Sequence, residues 1–279
     1  MATALRRGTC VGMESMLIFD RTAVRLHRDR AAKTVQGVAD VLREAAERLL
    51  DRLDDTNRGF TDALDIGGRG VIAPLLRGRG MRVISCDLSR AMAELNGGPC
   101  VVADEEFLPF APASFDLIVA SLSLHWINDL PGALLQLRQS LRPGGLLLAS
   151  LPALGTLSEL RAALTEAEAQ VAGGVSPRVS PFPELRDCAG LLQRAGFVLP
   201  VADVEDVRLL YANPFALLTD LRAAGETNAL RQRARSTPAR ALFPAALGGL
   251  PVEDDRVAVT LRFAVMTGWA PDAAANKPR

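Results

Sequence analysis

The stretch from residue 63 to residue 87 reads ALDIGGRGVIAPLLRGRGMRVISCD and is the clearest indication of the fold class. An apolar run at 63–66 ends in glycines, a helical pattern begins at 71, and a second apolar run at 81–86 ends at Asp87. Short apolar runs separated by a helix predict parallel strands that are buried on both faces of a sheet. The segment is therefore expected to form a strand–helix–strand unit.

The alternation continues from residue 87 to residue 151. Ser89 has the residue type that caps a helix, and the turn Pro143-Gly144-Gly145 follows another helical pattern. Further strands are predicted at 100–103, 115–121 and 146–151, and further helices at 89–95 and 130–141. This alternation predicts a doubly wound α/β fold with a mostly parallel sheet.

Helical segments are expected on both sides of this core. The apolar spacing of Val35, Val38, Leu42 and Leu49 predicts one helix of about 18 residues within 22–54. Beyond Pro152 we predict helices at 157–171, 184–195 and 214–224, and strands within 197–211 and 257–269. A further helical stretch, interrupted by Pro238, is predicted at 228–247. The predicted parts are a disordered or mis-assigned start (1–15), an N-terminal helical cap (16–56), a core (57–155), C-terminal helices and final strands that complete the sheet (156–270), and a flexible tail (271–279).

Composition and charge argue against several classes of protein. In 279 residues, 32 Lys and Arg balance 32 Asp and Glu, so the formal net charge is zero. The protein as a whole is therefore not expected to attract nucleic acid or anionic lipid. No apolar run reaches the roughly 18 residues of a membrane span. The four cysteines show no CxxC or CxC spacing and are expected to be reduced, buried thiols. His27 and His125 are the only histidines, which excludes HExxH and three-histidine sites, and no metal site is expected.

The residues that follow each predicted strand are the candidates for ligand binding, because ligands of open parallel sheets bind beyond the carboxyl ends of the strands. Glycines after the first strand allow a ligand to lie on backbone N–H groups. Asp87 is spaced to accept from ribose hydroxyls, and the acids after the third strand can meet an adenine amino group, so a nucleoside is favoured. The candidate cofactor residues are Asp65, Gly67, Gly68, Gly70, Asp87, Leu88, Asp104, Glu105 and Ser121.

Two nucleotide cofactors fit this arrangement. Residues 68–73 (GRGVIA) satisfy GxGxxA, which favours a nicotinamide dinucleotide. The acids after the third strand and the LRPGG turn at 141–145 are not part of that fingerprint. They belong to the pattern of methyltransferases.

Several motifs narrow the resemblance. The core contains DEEFLPF (104–110), FDLIV (115–119) and LHW (124–126), and outside it lie IFDR (18–21), GGVSPRVSPF (173–182), GETN (225–228) and TGW (267–269). The stretch 63–152 resembles class I S-adenosylmethionine (SAM)-dependent methyltransferases. The motifs are similar to the group that contains the malonyl-carrier-protein methyltransferase of biotin synthesis and the arginine hydroxylase that assists respiratory complex I assembly. The blocks at 18–21, 173–182 and 225–228 resemble the assembly-factor branch.

The resemblance implies a Rossmann-like sheet of the class I methyltransferase type, with helical N-terminal and C-terminal elaborations. It implies SAM as the cofactor and an arginine of a complex I peripheral-arm subunit as the target, which is hydroxylated in that branch. A hydroxylase would add iron as a further cofactor, and such a site would have to use both His27 and His125. The Ala-, Arg- and Leu-rich composition favours a bacterial, cytoplasmic protein; a eukaryotic one would lie in the mitochondrial matrix.

The residues expected to act on a substrate lie after the fourth strand and outside the core. His125 is the candidate base or substrate-positioning group, and Trp126 is expected to stack on adenine. The Ser- and Pro-rich block at 176–182 is expected to be an ordered loop over the mouth of the pocket. The candidate substrate residues are Arg28, Ser176, Ser180, Glu226 and Asn228.

The first turn departs from the pattern of the group, whose members usually have Asp-x-Gly-x-Gly-x-Gly. Here the turn Asp65-Ile66-Gly67-Gly68-Arg69-Gly70 is one residue shorter. The deletion changes where the N–H groups of the turn lie relative to the helix that follows. Two other functions are therefore also compatible with the sequence. One is a SAM-dependent O- or N-methyltransferase acting on a carrier-protein-bound or small carboxylate substrate, and the other is a non-enzymatic assembly scaffold.

Overall fold

The computed structural model describes residues 17–272. The start expected at 1–15, and all but residues 271 and 272 of the expected tail, lie outside the described residues. The helices are α1 (Arg21–Ala31), α2 (Ala39–Asp54), α3 (Ile72–Gly78), α4 (Arg90–Glu94), α5 (Leu130–Ser140), α6 (Ser158–Ala172), α7 (Leu185–Arg194), α8 (Pro214–Ala223) and α9 (Leu242–Gly248). The strands are β1 (Asp62–Ile66), β2 (Arg82–Asp87), β3 (Cys100–Val102), β4 (Phe115–Ser121), β5 (Leu141–Pro152), β6 (Val198–Tyr211), β7 (Val252–Glu253) and β8 (Arg256–Trp269).

The strands form one mixed sheet in the order β3-β2-β1-β4-β5-β8-β6, with β7 paired to β8. The five neighbouring strands β3, β2, β1, β4 and β5 are parallel. Strand β8 runs antiparallel to both β5 and β6. The predicted doubly wound, mostly parallel sheet is confirmed. Strand order reverses between β1 and β4, so the carboxyl ends of these two strands mark the place where such sheets bind ligands.

The sheet is buried on both faces, as its apolar strands predict. Along β4, Leu117 and Val119 face a cluster that includes Leu49 of α2. Ile118 and Ala120 point to the other face, which is covered by α5 and α7. The alternation follows from the two-residue period of a strand.

The N-terminal cap contains two helices where the apolar spacing predicted one. Asp20 caps α1, and its side chain accepts from the Ala23 N–H at 3.1 Å. A short 3-10 helix, Val35–Val38, then leads into α2. The predicted spacing belongs to the 3-10 helix and α2, and α1 is a separate, more polar helix.

The helical stretch predicted at 228–247 is wrong over most of its length. Only α9 is helical there, and the preceding residues form turns, with Leu230 in an isolated β-bridge to Phe19. Pro238 lacks the N–H that a helix interior needs, which explains why the helix begins only after it.

The cysteines within the described residues are free thiols, as expected. Cys86 and Cys188 are buried, but Cys100 is exposed. The expectation of burial is wrong for Cys100 because β3 is the edge strand of the sheet. Cys10 lies outside the described residues.

None of the helices within residues 17–272 combines the length and apolar character needed to cross a membrane.

Candidate active site

The carboxyl ends of β1, β2 and β4 meet at one edge of the sheet, as their parallel pairing requires. Asp65 pairs with Ser85 of β2 and with Val119 of β4. Asp87 ends β2, and Ser121 ends β4. The candidate cofactor residues are therefore brought to a common edge.

The turn after β1 is tight, and it needs glycine. Gly67 has φ 64, and a side chain added there would come within 2.6 Å of Ser123 Cβ. A Cβ added to Gly68 would meet the Asp65 carboxylate. Gly70 donates its N–H to Asn96 Oδ1 at 3.0 Å. The shortened turn thus folds back onto Asp65 instead of lying open.

Arg28 of α1 lies on this edge of the sheet, buried beside Asp87 and Glu105. It is 1% exposed, and its Nη1 donates to Asp87 Oδ1 at 3.3 Å and to Glu105 Oε1 at 2.5 Å. Its Nη2 donates to the Ser123 carbonyl at 3.3 Å. In this conformation the charge of Arg28 neutralises carboxylates of the same chain, and its expected contact with a substrate stays a prediction.

Arg21, about two turns earlier on the same face of α1, extends the ion-pair network. Its guanidinium donates to Asp104 Oδ1 at 2.6 Å, to Glu105, and to the Trp126 carbonyl at 3.1 Å. Burial by itself would raise the pKa of Glu105, but the charges of Arg28 and Arg21 lower it to about 2. We call Arg21, Arg28, Asp87, Asp104 and Glu105 the covered edge.

A second region, a cavity of about 460 Å³, lies beside the covered edge. Leu160 of α6, Leu217 of α8 and Phe182 are among its apolar walls, and Ser180 and Asn228 also line it. Ser176 does not line this cavity: its hydroxyl donates to Glu168 at 2.8 Å. The block at 176–182 therefore includes part of the cavity wall.

A hydrogen-bonded cluster closes the inner end of the cavity. Glu226 Oε2 accepts from Trp126 Nε1 at 2.8 Å and from His125 Nε2 at 2.7 Å, and Glu226 Oε1 accepts from Arg69. Burial alone would raise the pKa of Glu226, but His125, Arg69 and these hydrogen bonds lower it to about 2. The carboxylate is ionised at neutral pH and can only accept, so His125 Nε2 carries a proton.

Arg69 is a residue that the sequence analysis did not select. It is 3% exposed, with φ 50, and its Nη2 donates to the carbonyl of Leu122, which has φ 47. Two non-glycine residues with left-handed backbones are held by one 3.0 Å hydrogen bond at the cavity wall. Such conformations concentrate at functional sites. The only signal in the sequence is the position of Arg69 within the glycine turn.

A family model described as a methyltransferase domain matches residues 38–200, more than half of the chain. The chain belongs to this methyltransferase family.

Its relatives include two named activities. An arginine-hydroxylase NDUFAF5, mitochondrial, from Danio rerio is 37% identical over 281 residues, covering 95% of this chain and 86% of the relative. A malonyl-[acyl-carrier protein] O-methyltransferase from Xylella fastidiosa is 35% identical over 269 residues, covering 91% and 89%. The solved structure of YcgJ from Bacillus subtilis has a TM-score of 0.55 at 13% identity and covers 81% of this chain and 98% of its own. That likeness concerns the fold.

SAM is the cofactor of the methyltransferase fold, and the covered edge does not fit it in this conformation. Asp87 Oδ2, a buried atom without a partner among the described residues, is suited to a ribose hydroxyl. Arg28, however, holds Asp87 Oδ1 and Glu105, and the cavity does not reach either carboxylate. Leu88 packs instead against a small cluster with Phe19 and Trp126.

The residues considered for iron do not form a metal site. Within residues 17–272, no group of three or more His, Cys, Asp or Glu side chains is arranged to hold a metal ion. His125 already bonds Glu226 through Nε2. Burial, followed by the charges of Arg30 and Arg233, lowers the pKa of His27.

Proposed function

We propose that this methyltransferase-family protein assists assembly of respiratory complex I by modifying an arginine of a peripheral-arm subunit, with hydroxylation as the modification. The arginine-hydroxylase relative supports the activity, since the match covers 95% of this chain. The complex I partner comes from the resemblance of the blocks at 18–21, 173–182 and 225–228. The proposed location is the bacterial cytoplasm, or the mitochondrial matrix for a eukaryotic source.

The observation that carries this proposal is the ionised Glu226 at the inner end of the cavity. A carboxylate is the natural partner of a guanidinium, because two N–H groups can donate to it in one plane. Glu226 already accepts from Arg69, Trp126 and His125, which fix its orientation. We infer that a substrate guanidinium would share this carboxylate with them.

The remaining cavity suits the rest of an arginine side chain. Its walls are mostly aliphatic, including Leu160, Leu164 and Leu217, and such walls pack on the methylene stem of an arginine. Asn228 and Ser180 would contact the peptide backbone near the mouth. Asn228 Nδ2 donates to the Pro177 carbonyl at 2.8 Å, which ties that segment to the loop.

Hydroxylation has requirements that these residues do not supply. One oxygen atom of dioxygen enters the arginine and the other leaves as water, which consumes two electrons and two protons from a reductant. The iron expected for that chemistry finds no ligand set among the described residues. We therefore assign the described residues only binding and orientation of the arginine.

The test is mass spectrometry of the subunit from cells that express the wild-type chain or Glu226→Gln. The expected result is an arginine that gains one oxygen atom with the wild type and remains unmodified with the variant. Glu166→Gln, an exposed change on α6, is the control and should behave like wild type. An arginine that is modified equally with Glu226→Gln would overturn the role of this carboxylate.

The alternative as a methyltransferase is favoured by one observation, the 35% identity to the Xylella enzyme over 91% of this chain. The same experiment separates the activities, because methylation adds a methylene and releases S-adenosylhomocysteine. A scaffold would restore complex I assembly without either mass change.

A further inference from the structure

Helix α1 carries Arg28, which occupies Asp87 and Glu105 at the carboxyl edge of the sheet. We propose that α1 is a removable cover of the nucleoside site, and that Arg28 must leave Asp87 and Glu105 before an adenosine cofactor binds. This inference deepens the proposed function, on which it rests, because it concerns how the same enzyme takes up its cofactor.

The hydrogen bonds of Asp87 show what the exchange requires. Oδ1 accepts from the Ser89 N–H at 2.7 Å and from Arg28, whereas Oδ2 is buried without a partner among the described residues. A ribose with two adjacent hydroxyls can donate to both oxygens of a carboxylate. Withdrawal of Arg28 would therefore release Asp87 Oδ1 from its bond to the guanidinium, and Asp87 Oδ2 is already available as an acceptor.

The charge balance also permits an exchange. Arg28 neutralises Asp87 and Glu105, and its removal alone would leave two buried carboxylates close together, which is costly. SAM brings a sulfonium and an ammonium group to the same region. A cationic ligand thus replaces part of the charge that the helix withdraws.

The attachment of α1 is mostly polar. Asp29 accepts from the Ser89 hydroxyl at 2.5 Å, and Arg21 pairs with Asp104 and Glu105. Ala23 and Val24 belong to a small cluster with Phe19, Trp126, Ala229 and Leu230. That cluster is separate from the two that fill the faces of the sheet, and ion pairs that open to water regain hydration.

The proposed movement of α1 turns about the segment where α1 meets the next element. Residues 32–34 form a turn between α1 and the 3-10 helix, and Ala31 alone in α1 joins the cluster under α2. Thr34 has φ −128, ψ −8, outside the helical region. A change of backbone angles in this turn would swing α1 without disturbing α2.

The first test is calorimetric titration of the full-length chain with SAM. Arg28→Met, which keeps the length of the stem without the charge, is expected to bind SAM about tenfold or more tightly than the wild type, because the closed population no longer competes. Arg25→Met changes an exposed arginine of the same helix and should match the wild type. Equal or weaker binding by Arg28→Met would overturn the proposal.

The second test keeps the proposal falsifiable if Arg28→Met does not fold. The pair Asp29→Cys and Ser89→Cys, in a chain with Cys10 and Cys100 changed to Ser, would lock α1 to α4 by a disulfide. The oxidised protein should bind SAM about tenfold or more weakly than the same protein after reduction. Asp29→Cys alone should show no redox effect, and equal affinity of the locked and reduced forms would contradict a moving cover.

These titrations fail independently of the proposed function. A chain that modifies the arginine but binds SAM equally in every variant overturns the cover alone. A chain that shows both expected titrations and leaves the arginine unmodified overturns the arginine activity alone.

Discussion

The covered edge and the cavity lie side by side but are built in opposite ways. The covered edge contains two arginines and three carboxylates joined by ion pairs, and Arg28 in it is 1% exposed. The cavity has about 460 Å³ of space, mostly apolar walls and its Glu226 cluster at one end. The half of the fold that we propose as the nucleoside site is closed, and the half beside it is open.

This difference indicates which region is held together and which is prepared for a ligand. Buried ion pairs stabilise only while every partner is present, because one unpaired buried charge is costly. Apolar walls around open space lack that dependence. The covered edge should therefore be the more sensitive region to single polar substitutions.

The largest expected effect comes from Glu105→Gln. The variant leaves Arg28 and Arg21 without their shared carboxylate, so the free energy of unfolding should fall by about 3–5 kcal/mol. Denaturant unfolding at neutral pH measures it. Glu94→Gln removes an exposed pair with Arg90 and should lower the free energy of unfolding far less, because water screens exposed charges. Equal losses in both variants would show that ion pairing does not hold the edge closed.

A smaller, pH-dependent effect is expected from Asp65→Asn. Burial, with the charge of Asp87, raises the pKa of Asp65 from 3.8 to about 7. Between these values the folded chain binds a proton that the unfolded chain does not, so wild-type stability falls as the pH rises. The free energy of unfolding of the wild type relative to Asp65→Asn should thus fall by about 3 kcal/mol or less from pH 4 to 7. A difference that stays constant across this range would contradict the raised pKa.

The smallest effect is expected from the helix caps Ser89 and Asn213, one in each region. Ser89 caps α4 and also donates to Asp29 of α1, whereas Asn213 only caps α8 beside the cavity. Ser89→Ala should cost about 1–2 kcal/mol of unfolding free energy and Asn213→Ala about 1 kcal/mol. A larger loss for Asn213→Ala in thermal unfolding would reverse the expected order of the regions.

Much of the sheet was predictable because its strands are buried on both faces. The strand predicted at 115–121 coincides with β4, and that at 81–86 lies within one residue of β2. The helical stretch at 228–247 failed because its residues meet the N-terminal segment through Leu230 and Phe19, and such long-range pairing leaves no local pattern. Tertiary contacts override local propensity there.

The sequence predicted where the candidate site residues lie, but not which of them pair with one another. Asp87, Glu105 and His125 follow their strands as expected, because strand ends can be found from apolar runs. No spacing in the sequence shows that Arg28 reaches across from α1, since a long side chain can pair with any carboxylate within its length. Arg69 was missed for the same reason.

Strand β8 has a consequence for how the chain folds during synthesis. It lies between β5 and β6, yet among the strands within residues 17–272 it is the last to be synthesised. In the described part of the chain, β6 pairs with β8 alone. Residues 198–211 therefore have no strand to pair with until residues 256–269 have been synthesised. Until then β5 and β6 expose unpaired edges, which are templates for aggregation. The nascent protein is therefore most vulnerable just before residues 256–269 emerge.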